Sequence, residues 1–250
     1  MLLGLFQLSC LKNESVWKMK KQILLITMVC LLITFNAVAN PTPSYITNGN
    51  MDWSRGVSGS TSQEWDFLTS SNPAAPESSY NLYGNPMVVL YQVPVANPVT
   101  PFAWRSSYLG RSGVWAGDAV YADIIVPNTP ETEGYKVVWM EVGFAAATID
   151  QMPIIQPYIA GGQTGSFQWD QLSLTINRVG ITDWYVMNIS WLIVPNPQSE
   201  VITVGFAGTG GYIDYITVDT LCVIPVPGAV ILGGIGVGLV GWMRRRKSIV

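Results

Sequence analysis

From Val223 to Met243 the chain carries no charged side chain, and Arg244-Arg245-Arg246-Lys247 follows directly. A run of roughly 20 apolar residues is what a helix needs to span a bilayer. Pro225 and Pro227 lack backbone donors, so the helix is expected to begin after them. Gly233, Gly234, Gly236, Gly238 and Gly241 give it the small-residue composition common in membrane helices. The cations Arg244, Arg245, Arg246 and Lys247 then act as a stop-transfer signal and stay cytoplasmic. Residues 222–250 are therefore read as a tethering segment, and the remaining chain as what it tethers.

The other end carries an export pattern. Lys20-Lys21 precedes the apolar run Ile23–Phe35, and Ala37-Val38-Ala39 supplies small residues for cleavage. Residues 19–39 read as a secretory signal peptide, with Asn40 first in the mature chain. Residues 1–18 are an upstream extension, and translation is expected to begin at Met19.

Between these ends lies an ectodomain, 44–221, large enough for a sizeable core. The chain has a formal charge of −3, but that figure hides a split. Between residues 40 and 227 the cations are Arg55, Arg105, Arg111, Lys136 and Arg178, against every one of the chain's 16 acids except Glu14. No Lys/Arg cluster offers a nucleic-acid surface there. Histidine is absent, which removes histidine triads, histidine metal sites and imidazole pH switches. Of the cysteines, Cys10 and Cys30 lie in or before the signal peptide. Cys222 alone would remain, so the processed chain has no internal disulfide. Beside a membrane it is open to lipidation or interchain pairing, or it is a small apolar residue.

The ectodomain reads as β throughout. Strands are expected at Trp65–Thr69, Met87–Val93, Ala119–Val126, Tyr135–Ala146, Gln171–Val179, Trp184–Val194, Val201–Ala207 and Tyr212–Val218. Leu172, Leu174 and Ile176 alternate with polar neighbours; so do Tyr185, Met187, Ile189, Trp191 and Ile193 with Asn188 and Ser190. Such alternation marks half-buried strands. Asn128–Glu131 and Pro195–Gln198 read as proline turns, and Asn72–Ser79 as a mobile polar loop. The expected fold class is all-β: a jelly-roll-like two-sheet β-sandwich with an N-terminal signal helix and a C-terminal transmembrane helix.

Two resemblances follow from particular residues. Val223-Ile224-Pro225-Val226-Pro227-Gly228, the span Ala229–Trp242 and the cluster Arg244–Lys247 together resemble the PEP-CTERM sorting signal of Gram-negative bacteria that make extracellular polysaccharide. The sorting motif proper is Pro225, Val226, Pro227 and Gly228, with Val226 where the family has an acid. The resemblance implies an exosortase-like processing enzyme as partner. It also implies anchoring in the inner membrane facing the periplasm, with release to the outer surface or matrix. A plain tail anchor is the alternative.

The second resemblance rests on Ile46–Trp53 and Gly211–Asp219, which look like the opening and closing strands of galactose-binding-like, carbohydrate-binding-module jelly rolls. That resemblance implies a structural Ca²⁺, with Asn48, Asp52 and Asp214 as the matching candidates. Ca²⁺ takes 6–8 oxygen ligands, so backbone carbonyls would complete the shell. A solvated aspartate turn and a strand aspartate are the other reading.

No nucleophile elbow, zinc-protease motif or phosphate loop occurs, and no catalytic residue is nominated. A glycosidase-type carboxylate pair stays open, with Glu141 inside an apolar strand the most unusual acid. Aromatics are the stronger lead, because ten tryptophans occur and only Trp17 and Trp242 lie outside the ectodomain. Trp104, Arg111 and Trp115, expected in loops, are the candidate carbohydrate-binding residues, with Trp169-Asp170 a further site; Trp65, Trp139 and Trp191 fall in strand patterns and are expected in the core. Three functions remain in play: a non-enzymatic structural or adhesive envelope module, a module binding exopolysaccharide, and a glycan-active enzyme.

Overall fold

Period-two alternation becomes strand where the sequence shows it, and polar segments such as Ser60–Trp65 and Ser78–Tyr80 become strand where it does not. The computed structural model describes residues 46–47, 50–130, 134–146, 153–159, 167–180, 182–224, 236 and 238. The extension, the signal peptide, Asn48, the motif Pro225–Gly228 and the cluster Arg244–Lys247 lie outside them. Ser44–Pro225 forms one compact unit, and Gly236 and Gly238 are helical. Among the described residues no helix is long and apolar enough to cross a membrane.

The strands are β1 (Ile46–Thr47), β2 (Asn50–Met51), β3 (Ser60–Trp65), β4 (Ser78–Tyr80), β5 (Met87–Gln92), β6 (Ala103–Tyr108) and β7 (Arg111–Gly117). They continue as β8 (Val120–Pro127), β9 (Tyr135–Ala146), β10 (Ile154–Ile159), β11 (Gln168–Arg178), β12 (Trp184–Val194), β13 (Ser199–Gly205) and β14 (Gly211–Val223). One sheet runs β11-β12-β9-β14-β3-β4, with β7 also paired to β14 and β6 to β7. The second runs β10-β13-β8-β5, and β1-β2 is a small hairpin apart. From β7 onward the chain changes sheet at β8, β9, β10, β11, β13 and β14.

The sheets pack face to face. Val88 and Leu90 of β5, Ala122 and Ile124 of β8, and Ile202 and Val204 of β13 meet Val138, Met140 and Val142 of β9 and Ile216 and Val218 of β14. Each large aliphatic fully buried this way contributes about 1.5–3 kcal/mol. Trp65, Trp139 and Trp191 are buried. Strand β14 is the hinge of the large sheet. One edge pairs with β9 along its whole length. The other edge forks, with Ile216–Leu221 pairing with β3 and Gly211–Ile213 with β7. A bulge falls between Ile213 and Tyr215, which leaves Asp214 unpaired in the ladder at the fork.

Several expectations are corrected. The strand expected at Trp65–Thr69 ends at Trp65 instead, because Phe67 takes a positive φ of 49°. The true strand is the polar run Ser60-Thr61-Ser62-Gln63-Glu64-Trp65, held between β14 and β4; Thr61 and Thr220 hydroxyls bond at 2.8 Å. Leu172 and Leu174 are exposed rather than half-buried, because β11 is an edge strand with a bulge between Gln171 and Ser173. The loop expected to be mobile is pinned, since the Asn72 side chain exchanges two hydrogen bonds with the Leu90 backbone.

One end of the sandwich is closed by polar ties. Asn128 Nδ2 donates to Asn196 Oδ1 at 2.8 Å and to the Pro197 carbonyl at 2.6 Å, joining the two expected turns. Lys136 on β9 and Glu200 on β13 form an ion pair across the two sheets, both side chains fully buried. Cys222 belongs to β14, one residue past the expected domain end; it is buried, and its Sγ donates to Asn128 Oδ1 at 2.9 Å.

Candidate functional site

The residues nominated from sequence do not gather into one exposed face. Trp104 and Trp115 lie in strands, not loops, opposite each other on β6 and β7. The strand is possible because Gly113, at φ +75°, lets β7 pass the Phe67 carbonyl; a Cβ there would meet that oxygen at 2.3 Å. Trp115 is 5% exposed and stacks on Phe102 at 5.2 Å between centroids. Trp104 is half-buried, with its indole N–H donating to the Phe67 carbonyl at 2.8 Å. Their indole faces therefore serve the core, and an exposed pair able to stack on sugar is not formed by these two. Trp169 on β11 likewise packs against the core.

Arg111 and Asp214 were nominated for different sites, and the structure brings them together. The fork of β14 places Asp214 beside β7, where Arg111 Nη1 lies 3.4 Å from Oδ2. The Arg111 guanidinium also sits 5.7 Å from the Trp184 ring centroid. Burial pushes the Asp214 carboxyl up to about 6, with Arg111 opposing and Asp66 adding to the rise. Asp52 is exposed, and among the described residues no group of three or more acids or cysteines gathers in a way that could hold a metal ion.

The other acids in the sheets are engaged inside the domain. Asp219 accepts two hydrogen bonds from Arg55, each 2.8 Å, and Arg55 also reaches Glu64. Glu141, the acid singled out for chemistry, accepts from the Tyr215 hydroxyl at 2.8 Å. Tyr215 lies flat over Gly143, where a Cβ would meet its ring at 2.2 Å, and burial pushes its phenol upward. Burial also pushes the Glu200 carboxyl upward, against the pull of Lys136.

A groove lies elsewhere, at the end of the large sheet beyond the fork. It holds about 320 Å³ and is lined by Val99, Thr100, Tyr108, Leu109, Ala145, Asp183, Thr209, Gly210 and Tyr212. Tyr108 ends β6 and Tyr212 is the second residue of β14. Their rings stack at 4.3 Å between centroids, 12° from parallel. Hydrogen bonding to the Tyr212 hydroxyl pushes the Tyr108 phenol up to about 12, and burial adds to the rise. Below them lies a small apolar cluster of Val114, Ala145 and Trp184.

One buried carboxylate organises the rim. Asp118 is fully buried. Its Oδ2 accepts from the Val99 and Thr100 backbone N–H groups, the latter at 3.0 Å, and its Oδ1 from Gly210 N–H at 2.7 Å. Burial alone would raise this carboxyl. The N–H groups of Thr100, Gly210 and Val99 outweigh it and hold Asp118 below the usual aspartate range. Asp183 on the opposite side pairs with Arg178 at 3.2 Å and stays open to solvent. The reading of the sequence missed Tyr108, Asp118 and Asp183. The available signal was Tyr108-Leu109-Gly110, a turn in which Leu109 and Gly110 both take positive φ.

Compared with known proteins, the chain matches no family model, no curated protein and no solved structure.

Proposed function

We propose that this chain is an exported, non-enzymatic component of a Gram-negative cell envelope or extracellular matrix: a jelly-roll-like structural or adhesive module, delivered by its signal peptide and sorted or anchored by residues 222–250. The observation that carries the non-enzymatic part is how the acids are used. Asp118, Glu141, Glu200, Asp214 and Asp219 are each tied to backbone N–H groups, a tyrosine, a lysine or an arginine of the same domain. A glycosidase needs two carboxyls facing one cleft about 5–9 Å apart, and these acids are committed to holding strands and loops. The sorting part is supported by the motif Pro225–Gly228, the uncharged span and Arg244–Lys247. An exosortase-like enzyme and the membrane are the partners this implies.

The test is truncation after Ile224 in a host that secretes polysaccharide. The full chain is expected in the envelope fraction and the truncated chain in the medium or periplasm. A truncated chain that stays in the envelope fraction would refute the role given to residues 225–250. A second reading, recognition of extracellular polysaccharide, is favoured by the tyrosine-walled groove rather than by Trp104, Arg111 and Trp115.

A further inference from the structure

The polysaccharide reading leaves the ligand chemistry open, and the lining of the groove at Tyr108 and Tyr212 narrows it. Its wall is aromatic, its rim polar. The stacked rings share the lining with Thr100, Thr209, Gly210 and Asp183. That mixture suits a ligand with one apolar face and hydroxyls around its edge. A volume of 320 Å³ lies at the small end of the roughly 300–1,000 Å³ typical of small-molecule sites. The rim is also built in advance. Asp118 draws Val99, Thr100 and Gly210 onto one carboxylate, so these lining residues need little ordering when a ligand arrives.

Charge narrows the ligand. Asp183, paired with Arg178 outside the lining, is the acid in the groove, and among the described residues no cation lines it. Around it the domain is strongly acidic. A polyanion would approach against that field.

We propose that this groove binds a neutral saccharide, with Tyr108 and Tyr212 as its stacking wall and Asp183, Thr100 and Thr209 as partners for its hydroxyls. The proposal rests on the polysaccharide reading and gives it residues. Tyr108 makes the contact, Tyr212 backs it, and Asp118 is a positioning residue that touches no ligand.

The experiment is isothermal titration calorimetry on the full chain in a zwitterionic detergent, whose headgroup carries no sugar. The probes are cello-, xylo-, manno- and galacto-oligosaccharides, with an oligouronate as the charged control. At least one neutral probe is expected to bind, with the oligouronate weaker. Tyr108→Ala is expected to lower affinity about tenfold, and Tyr108→Phe to stay within about threefold of the wild type, because the ring carries the contact. Asp183→Ala, a change at an exposed side chain that leaves the core alone, is expected to lower affinity about threefold or more. It carries the test should Tyr108→Ala fail to fold. Equal binding of a neutral probe to wild type, Tyr108→Ala and Asp183→Ala would overturn the groove while leaving the polysaccharide reading in place. No binding by any probe would overturn both.

Discussion

Replacing Lys136 by methionine is the sharpest probe of how the two sheets are joined. Lys136 and Glu200 are both fully buried, one on each sheet, and their ion pair closes one end of the core. Lys136 meets Glu200 Oε1, and among the described residues Oε2 has no hydrogen-bond partner. Removing one member of such a pair leaves a buried charge uncompensated and costs about 3–5 kcal/mol. That is a large part of the roughly 5–15 kcal/mol that holds a domain folded. With a urea slope near 2 kcal/mol/M, the midpoint should fall by about 2 M. The loss should shrink at low pH. Burial already raises the Glu200 carboxyl, so its neutral form is favoured in the folded state and gains weight as pH falls. Lys136→Met with Glu200→Leu should recover most of the loss, because a packed apolar pair replaces both charges. The assay is urea unfolding of the Ser44–Pro225 unit followed by tryptophan fluorescence at pH 8 and pH 5. A single-variant loss under about 1 kcal/mol, or a double variant as unstable as the sum of both singles, would refute the reasoning.

Gly113→Ala should destabilise the unit by about 3 kcal/mol or more, since it combines a positive φ with a Cβ placed 2.3 Å from the Phe67 carbonyl oxygen; a melting temperature within a degree or two of wild type would contradict this. Asp214→Asn should raise the melting temperature at pH 8 and lose that advantage progressively as pH falls from about 6 into the ordinary aspartate range. The folded-state carboxyl is raised to about 6, so the wild-type acid opposes folding only where it is ionised. A gap that grows toward low pH would reverse the assignment. Cys222 in the Ser44–Pro225 unit should resist a maleimide in native buffer and react after urea, because its Sγ is buried against Asn128. Labelling within minutes of mixing in native buffer would contradict that burial.

What the sequence revealed followed its periodicity. Tyr135–Ala146 and Trp184–Val194 were legible to the residue as β9 and β12, because large apolar residues dominate both runs. Asn128 and Asn196 fall between strands, as the neighbouring prolines suggested, but were not legible as partners, since they meet only through the sheet topology. Strand β3 was hidden because Ser60-Thr61-Ser62-Gln63 carries no apolar residue; its place between β14 and β4 comes from long-range pairing. Strands β6 and β7 were read as loops for their Ser, Arg and Gly content, although the glycine is what lets β7 pass close to Phe67.

The same reason governs the site. Arg111 and Asp214 stand far apart in the chain, and only the fork in β14 makes them neighbours. Tyr108 and Tyr212 lie about a hundred residues apart in the chain and meet where β6, β7 and β14 converge. A bulge or fork redirects single side chains without altering any local pattern, so residue types alone could name aromatics and carboxylates but not their company.

The most direct test of the account is the intact mass of the mature protein from its native host, taken with cell fractionation. The account predicts a chain that begins at Asn40, ends between Val223 and Gly228, and is recovered from the outer surface or matrix. A chain running to Val250 and confined to the inner membrane would contradict the sorting and leave residues 222–250 as a plain tail anchor.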